Sequence, residues 1–176
     1  SPALIEQINT LAQIASEFSF FAKEKIDLNQ ITDISECIKT VLEVYENQES
    51  IEIKLINSAE NNILVLGEKQ QYIRIFNNLI KNAVQALYGK NDGVIAIEIK
   101  EENNECKISI MDNGYGISKE NQSKIFSSQF TTKIDGSGIG LSIVKSIIEL
   151  LGGRIDFVSK ENQGSTFYIY LPIWKP

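Results

Sequence analysis

Three glycines at alternating positions, Gly136, Gly138 and Gly140, lie within the run Asp135–Ser142 and open an apolar pattern that predicts a helix from Gly138 to about Leu151. Residues without side chains let backbone N–H groups come close to a ligand, and the N-terminus of the helix that follows favours negative charge. The run is therefore expected to cradle phosphate. It lacks the lysine that directly precedes Ser or Thr in a P-loop, and it does not keep the G-x-G-x-x-G order of a dinucleotide-binding turn. Both of those architectures are set aside on that ground.

Two further segments carry matching chemistry. Asp112-Asn113-Gly114-Tyr115-Gly116 follows the strand-like run Lys107–Met111. A carboxylate at a strand end accepts a hydrogen bond from an adenine amino group, Gly114 and Gly116 leave room for a base, and Ile117 can line its apolar side. An Asp-Asn-Gly surface turn, common in any fold, fits the same residues. Asn78 and Asn82 stand four apart on a predicted helix and so share one face. Asparagine is a weak interior helix former, and two amide oxygens suit a hard divalent ion that keeps water and phosphate as its other ligands. The two glycine turns and the amide pair together point to ATP with magnesium. Between them, Ile125–Lys133 reads as a polar lid anchored by Phe126 and Phe130, with Lys133 able to approach phosphate. The same two aromatics also read as core residues, and Lys133 as solvated.

The chain has 176 residues, 43% of them apolar and 23% charged, enough for one substantial core and too apolar for disorder. With a net charge of -6 and its lysines scattered, it offers no surface for duplex nucleic acid. It contains no histidine, so neither a Ser-His-Asp triad nor a histidine phosphoacceptor can be completed within these residues. Cys37 and Cys106 belong to no C-x-x-C motif and read as small apolar fillers in a reducing compartment. No apolar run is of membrane-spanning length, so these residues are expected to make no membrane contact, whatever anchor the full-length protein carries.

Along the chain, Leu4, Ile8, Leu11, Ile14, Ala15, Phe18 and Phe21 recur at helical spacing, predicting a long amphipathic helix through roughly Ala22, which fits either a helix packed on its own domain or an interdomain or dimer helix. A boundary follows near residues 23–29. Asp33 is placed to cap a second helix bearing Ile34, Ile38, Val41, Leu42 and Tyr45, with Glu36 as its box partner. Strands are expected at 51–55 and 63–66, a helix from Gln70 to Leu87, and strands at 94–99 and 106–110. Apolar residues on both parities of 94–99 suggest a strand covered on both faces. Gly152-Gly153 ends the glycine-opened helix, and Ile155–Phe157 is expected to pair with Thr166–Leu171 across an Asn162–Gly164 turn. This order argues for an α/β fold.

Taken in order, Asn78–Ala83, Asp112–Ile117, Ile125–Lys133 and Gly136–Leu141 resemble the N, G1, F and G2 boxes of the ATP-binding domain of sensor histidine kinases. That domain belongs to the wider gyrase, Hsp90, histidine kinase and MutL (GHKL) superfamily. The resemblance covers about residues 28–176. Within it, F-S-S-Q-F-T-T-K and N-L-I-K-N-A-V-Q-A-L look most like the nitrogen-regulation kinases, including their NtrY-like branch. Gln85 stands where many relatives have lysine, a departure common in that branch.

The resemblance implies an α/β, two-layer sandwich of helices on a mixed sheet, the Bergerat type, preceded over residues 1–27 by the end of a dimerisation and histidine-phosphotransfer helix and a linker. Asn82 would be the principal magnesium ligand with Asn78 beside it. Asp112 would recognise adenine in a pocket shaped by Gly114, Gly116 and Ile117. Gly136, Ser137, Gly138, Ile139, Gly140 and Leu141 would meet the nucleotide under the lid, with Thr132 and Lys133 contributing from the lid itself. The implied reaction is transfer of the ATP γ-phosphoryl to a histidine on the dimerisation domain of a full-length homodimer, then to the receiver domain of a response regulator. The implied setting is the cytoplasmic side, beneath an anchor in the bacterial inner membrane. Hydrolytic relatives carry a water-activating glutamate before the metal asparagine, where this chain has Asn78, so vigorous ATP hydrolysis is not expected. Two other readings remain at this point: a serine kinase of the anti-sigma-factor type, and a nucleotide-binding or dimerisation module without activity.

Overall fold

The computed structural model describes residues 1–5, 7, 8, 11, 12, 14, 15, 25–127 and 140–176. Helix α1 (Ile34–Leu42) starts where the sequence places its cap: Asp33 is extended and its carboxylate accepts from the Glu36 N–H at 3.3 Å. Ile34, Cys37, Ile38 and Val41 fall on one face and are buried. The cap residue also ends a short strand, β1 (Ile31–Asp33), antiparallel to β3 (Leu64–Leu66). Three residues are too few to show strand alternation, so β1 has no signal in the sequence.

Helix α2 (Lys69–Ala86) buries Phe76, Leu79, Ile80 and Ala83, as its periodicity predicts, together with Tyr72 and Ile75, which take the place expected for the half-buried Ile73, and leaves Asn77 and Lys81 exposed. Helix α4 (Gly140–Leu150) buries Ile143, Val144, Ile147 and Ile148. It closes in a Schellman arrangement, with the Gly153 N–H donating to Ile148 O at 2.9 Å and Gly152, at φ +80°, donating to Glu149 O at 3.0 Å. A short helix, α3 (Lys119–Gln122), lies between the two and was not expected.

These helices cover one face of a five-stranded sheet of order β2-β4-β5-β7-β6, formed by β2 (Ile51–Asn57), β4 (Gly93–Glu102), β5 (Glu105–Asp112), β6 (Arg154–Lys160) and β7 (Gly164–Pro172). Only the β2–β4 pair is parallel, so the sheet is mixed. The β4–β5 hairpin turns through Asn103 and Asn104, both at positive φ, as a two-residue turn requires. Ile95, Ile97, Ile99, Cys106, Ile108, Ile110, Phe167, Ile169 and Leu171 line the covered face and join the helices in one core. The expectation that 94–99 is covered on both faces is corrected: Val94, Ala96 and Glu98 alternate with the buried isoleucines and are only half-buried. Long side chains shade that open face, among them Lys107 with its ammonium 5.3 Å from the Tyr168 ring centre and Arg154 4.0 Å from that of Tyr170.

The described residues between positions 2 and 15 are helical, and Leu4, Ile5, Ile8 and Leu11 on that stretch are more than half exposed. Phe18 and Phe21 lie outside the described residues.

Candidate functional site

Asp112 is the last residue of β5 and is buried, facing Ile95 on one side and Ser165 on the other. Its Oδ1 accepts from the Gly114 N–H at 2.8 Å, which folds the chain into a tight turn just past the strand. Asn113 holds the turn to β4: its Oδ1 accepts from Val94 N at 2.8 Å, its Nδ2 donates to Asp92 O at 3.0 Å, and its carbonyl accepts from Lys90 Nζ at 2.7 Å. Gly114 then meets the end of α2. A Cβ at this position would lie 2.4 Å from Ala86 O, and the next residue, Tyr115, donates its N–H to that same oxygen at 3.1 Å. Tyr115 remains 46% exposed, and burial foremost, then the charge of Asp112, raises its phenol pKa. Gly116 sits at φ +68° with a would-be Cβ 2.1 Å from Lys160 O, so glycine is required there on two counts.

Asn78, Asn82 and Ala86 are four residues apart in succession, which stacks them on one face of α2 at a rise of about 6 Å per step. The Asn78 amide is oriented by its own helix, Nδ2 donating to Arg74 O at 2.8 Å, and its Oδ1 stands 2.9 Å from where a Cβ on Gly140 would be. Gly114 thus packs at Ala86 and Gly140 packs at Asn78. Asn82, half-buried, lies between those two contacts on the same face. Three of the four segments singled out by sequence therefore meet along one face of α2, with a buried carboxylate beyond one end.

Ile117 is half-buried against the core. Gly140 and Leu141 form the first turn of α4, both half-buried. Phe126 packs edge-on to Phe157 at 5.8 Å with Lys145 5.5 Å from its ring centre. Phe130, Thr132, Lys133, Gly136, Ser137, Gly138 and Ile139 lie outside the described residues. Sequence reasoning missed Asn113, Gln122, Ser159 and Ser165, whose contacts around the turn come from residues up to 42 positions away. The signal for Asn113 was present in its Asp-Asn-Gly setting; the other three had none. A cavity of about 530 Å³ lined by Lys25–Asn29, Glu68 and Leu150 involves none of the site residues.

The family model for histidine kinase-, DNA gyrase B- and HSP90-like ATPases matches residues 67–175, a stretch that holds Asn78, Asn82, Asp112 and both glycine turns. The chain belongs to this family. Among curated proteins it is 33% identical over 172 residues to the sensor histidine kinase ZraS of Escherichia coli K12, a match covering 97% of this chain and 37% of ZraS. Among solved structures it is similar to the catalytic domain of the histidine kinase ThkA, at 28% identity and a TM-score of 0.72 over 84% of this chain and 95% of that one. Full-length ShkA, solved with AMPPNP, shares the fold at a TM-score of 0.82 and 23% identity over 99% of this chain and 38% of its own. The chain is thus a catalytic, ATP-binding domain of the sensor histidine kinase type with a Bergerat-type mixed α/β fold, and it spans little more than a third of ZraS.

Proposed function

We propose that this chain binds ATP with magnesium and transfers the γ-phosphoryl to a histidine on the dimerisation domain of its own full-length protein, from which it passes to a response regulator. The observation that carries this reading is the stacking of Asn78, Asn82 and Ala86 on one face of α2, met at one end by Gly140 and at the other by Gly114. The donor set fits the nucleotide. Glycines at both contacts keep side chains off the helix face, the buried Asp112 is an acceptor for an adenine amino group, and the amide oxygens of Asn82 and Asn78 are hard neutral donors. Asn82 is the principal magnesium ligand and Asn78 its neighbour. Magnesium, when bound, neutralises charge on the phosphate oxygens.

The chain's own residues position rather than react. Asp112 would orient the base, Gly114 and Gly116 would keep side chains out of its pocket, Ile117 would cover the apolar side, and Gly140 with Leu141, in the first turn of α4, would offer a helix N-terminus to the phosphates. Gly136, Ser137, Gly138 and Ile139 are assigned by their sequence to phosphate binding, and Thr132 and Lys133 to the lid. Residues 1–27 are the end of a dimerisation helix and its linker, which the exposed Leu4, Ile5, Ile8 and Leu11 support. Residues 28–176 are the catalytic domain. The full-length protein is a homodimer of the NtrY-like branch, working on the cytoplasmic side of the membrane, and a bacterial inner-membrane anchor lies elsewhere in it. Among the described residues no helix is long and apolar enough to cross a membrane.

Calorimetric titration tests the reading. ATP with magnesium is expected to bind, GTP to bind more weakly, and Asp112→Asn to weaken ATP binding because an amide presents a donor where the base needs an acceptor. Equal affinity for ATP and GTP, or unchanged affinity in Asp112→Asn, overturns the adenine assignment.

A further inference from the structure

Both backbone polar groups of Ile117 are held by side chains, one from β6, 42 positions away, and one from α3, five residues on. Its N–H donates to Ser159 Oγ at 2.8 Å, and its carbonyl accepts from Gln122 Nε2 at 3.0 Å. The second Gln122 proton goes to the Ser159 carbonyl at 3.1 Å, so one amide ties α3, the turn and β6 together. The Ser159 hydroxyl is saturated as well: it donates to Gly164 O at 3.1 Å, and its two lone pairs take the Ile117 N–H and the Ser165 hydroxyl at 2.8 Å. Ser165 is the register partner of Asp112, and Gly164 packs its backbone onto Asp112 O. The hydroxyl therefore bridges the two ends of the turn that carries the base-binding residues, Asp112 at one end and Ile117 at the other.

We propose that Ser159 and Gln122 are positioning residues for nucleotide selectivity, fixing Ile117 relative to Asp112 through the β6–β7 hairpin; this rests on the assignment of the 112–117 turn to adenine. Neither side chain need touch the nucleotide. Removing the Ser159 hydroxyl strands a half-buried N–H on the residue that covers the base and frees that wall of the pocket. Removing the Gln122 amide releases the carbonyl of the same residue and detaches α3, from which the chain runs on toward the lid.

The test is titration of the chain with magnesium ADP and magnesium GDP, with thermal unfolding recorded on the same samples. Ser159→Ala is expected to raise the ADP Kd about tenfold while moving the GDP Kd much less, so that the preference for adenine shrinks. Ser159→Thr restores the hydroxyl and is expected to restore both values. Should Ser159→Ala not fold, Gln122→Met decides, since it keeps the length of the side chain and loses both donated hydrogen bonds. A lower unfolding temperature with an unchanged ADP-to-GDP ratio in these variants makes both residues merely structural and overturns the proposal. If Asp112→Asn weakens ADP binding while Ser159→Ala and Gln122→Met do not, the positioning role fails and the adenine assignment stands. If the parent chain binds neither nucleotide, both fall.

Discussion

Gly114 illustrates how a single hydrogen in place of a methyl group holds this site together. A Cβ there would sit 2.4 Å from the Ala86 carbonyl, a backbone atom at the end of a packed helix that cannot move aside cheaply. Gly114→Ala is therefore expected to push the turn off α2 at a cost of about 1–3 kcal/mol, read as a fall of roughly 2–4 °C in unfolding temperature per kcal/mol. ATP affinity should fall with it, because Asp112 is held through the Gly114 N–H. Asn82→Ala separates the two effects. Alanine preserves helix propensity, so magnesium-supported phosphoryl transfer to a supplied dimerisation domain should fall more than the folding stability does. Transfer at the parent rate would remove Asn82 from the metal site.

Within β5 and α1, Cys106 and Cys37 are packed as apolar fillers, and burial pushes their thiols up from 9.0 to about 12 and about 11. The folded protein keeps both protonated where the unfolded chain ionises them. Above the ordinary value the unfolded state thus binds fewer protons, and their contribution to stability, complete below pH 9.0, is lost as pH rises through about 11 and 12. The urea midpoint should fall across that window, and Cys106→Ala should flatten the slope; an identical slope would place the alkaline loss elsewhere. The longer elements that make this core were legible because each repeats its apolar period over several turns or strand residues, as Phe76, Leu79, Ile80 and Ala83 do on α2. β1 and α3 were not: Ile31-Thr32-Asp33 holds one large apolar residue and Lys119–Gln122 none, whereas the equally short β3 was marked by the apolar run Ile63–Leu66. The sheet order was not legible either: the parallel β2–β4 pairing is set by a crossover through β3 and α2, and no local pattern encodes it. The site divides in the same way. Asp112, Gly114 and Asn78 could be singled out from local chemistry, and the fold brings their segments together, whereas the contacts of Ser159 with Ile117 and Gln122 span 42 and 37 positions and leave no local mark.

At the scale of the whole molecule, the division of labour follows from the absence of histidine in all 176 residues. On the proposed reading the chain binds ATP but has no histidine within itself to accept the phosphoryl group. Incubated alone with radiolabelled ATP and magnesium, it should stay unlabelled. With the histidine-bearing dimerisation domain of its own full-length protein added, the label should appear on that domain, stable in alkali and lost in acid, as a phosphohistidine is. Transfer between two separate domains depends on their docking, because they lack the effective concentration that a covalent linker supplies. Joining the two through residues 1–27 should therefore speed labelling well beyond the mixed domains. Label retained on the chain alone would overturn the division of labour, and label on a serine of an added partner would move the chain to the serine-kinase reading, since both reactions use the same ATP face and differ only in the nucleophile brought to it.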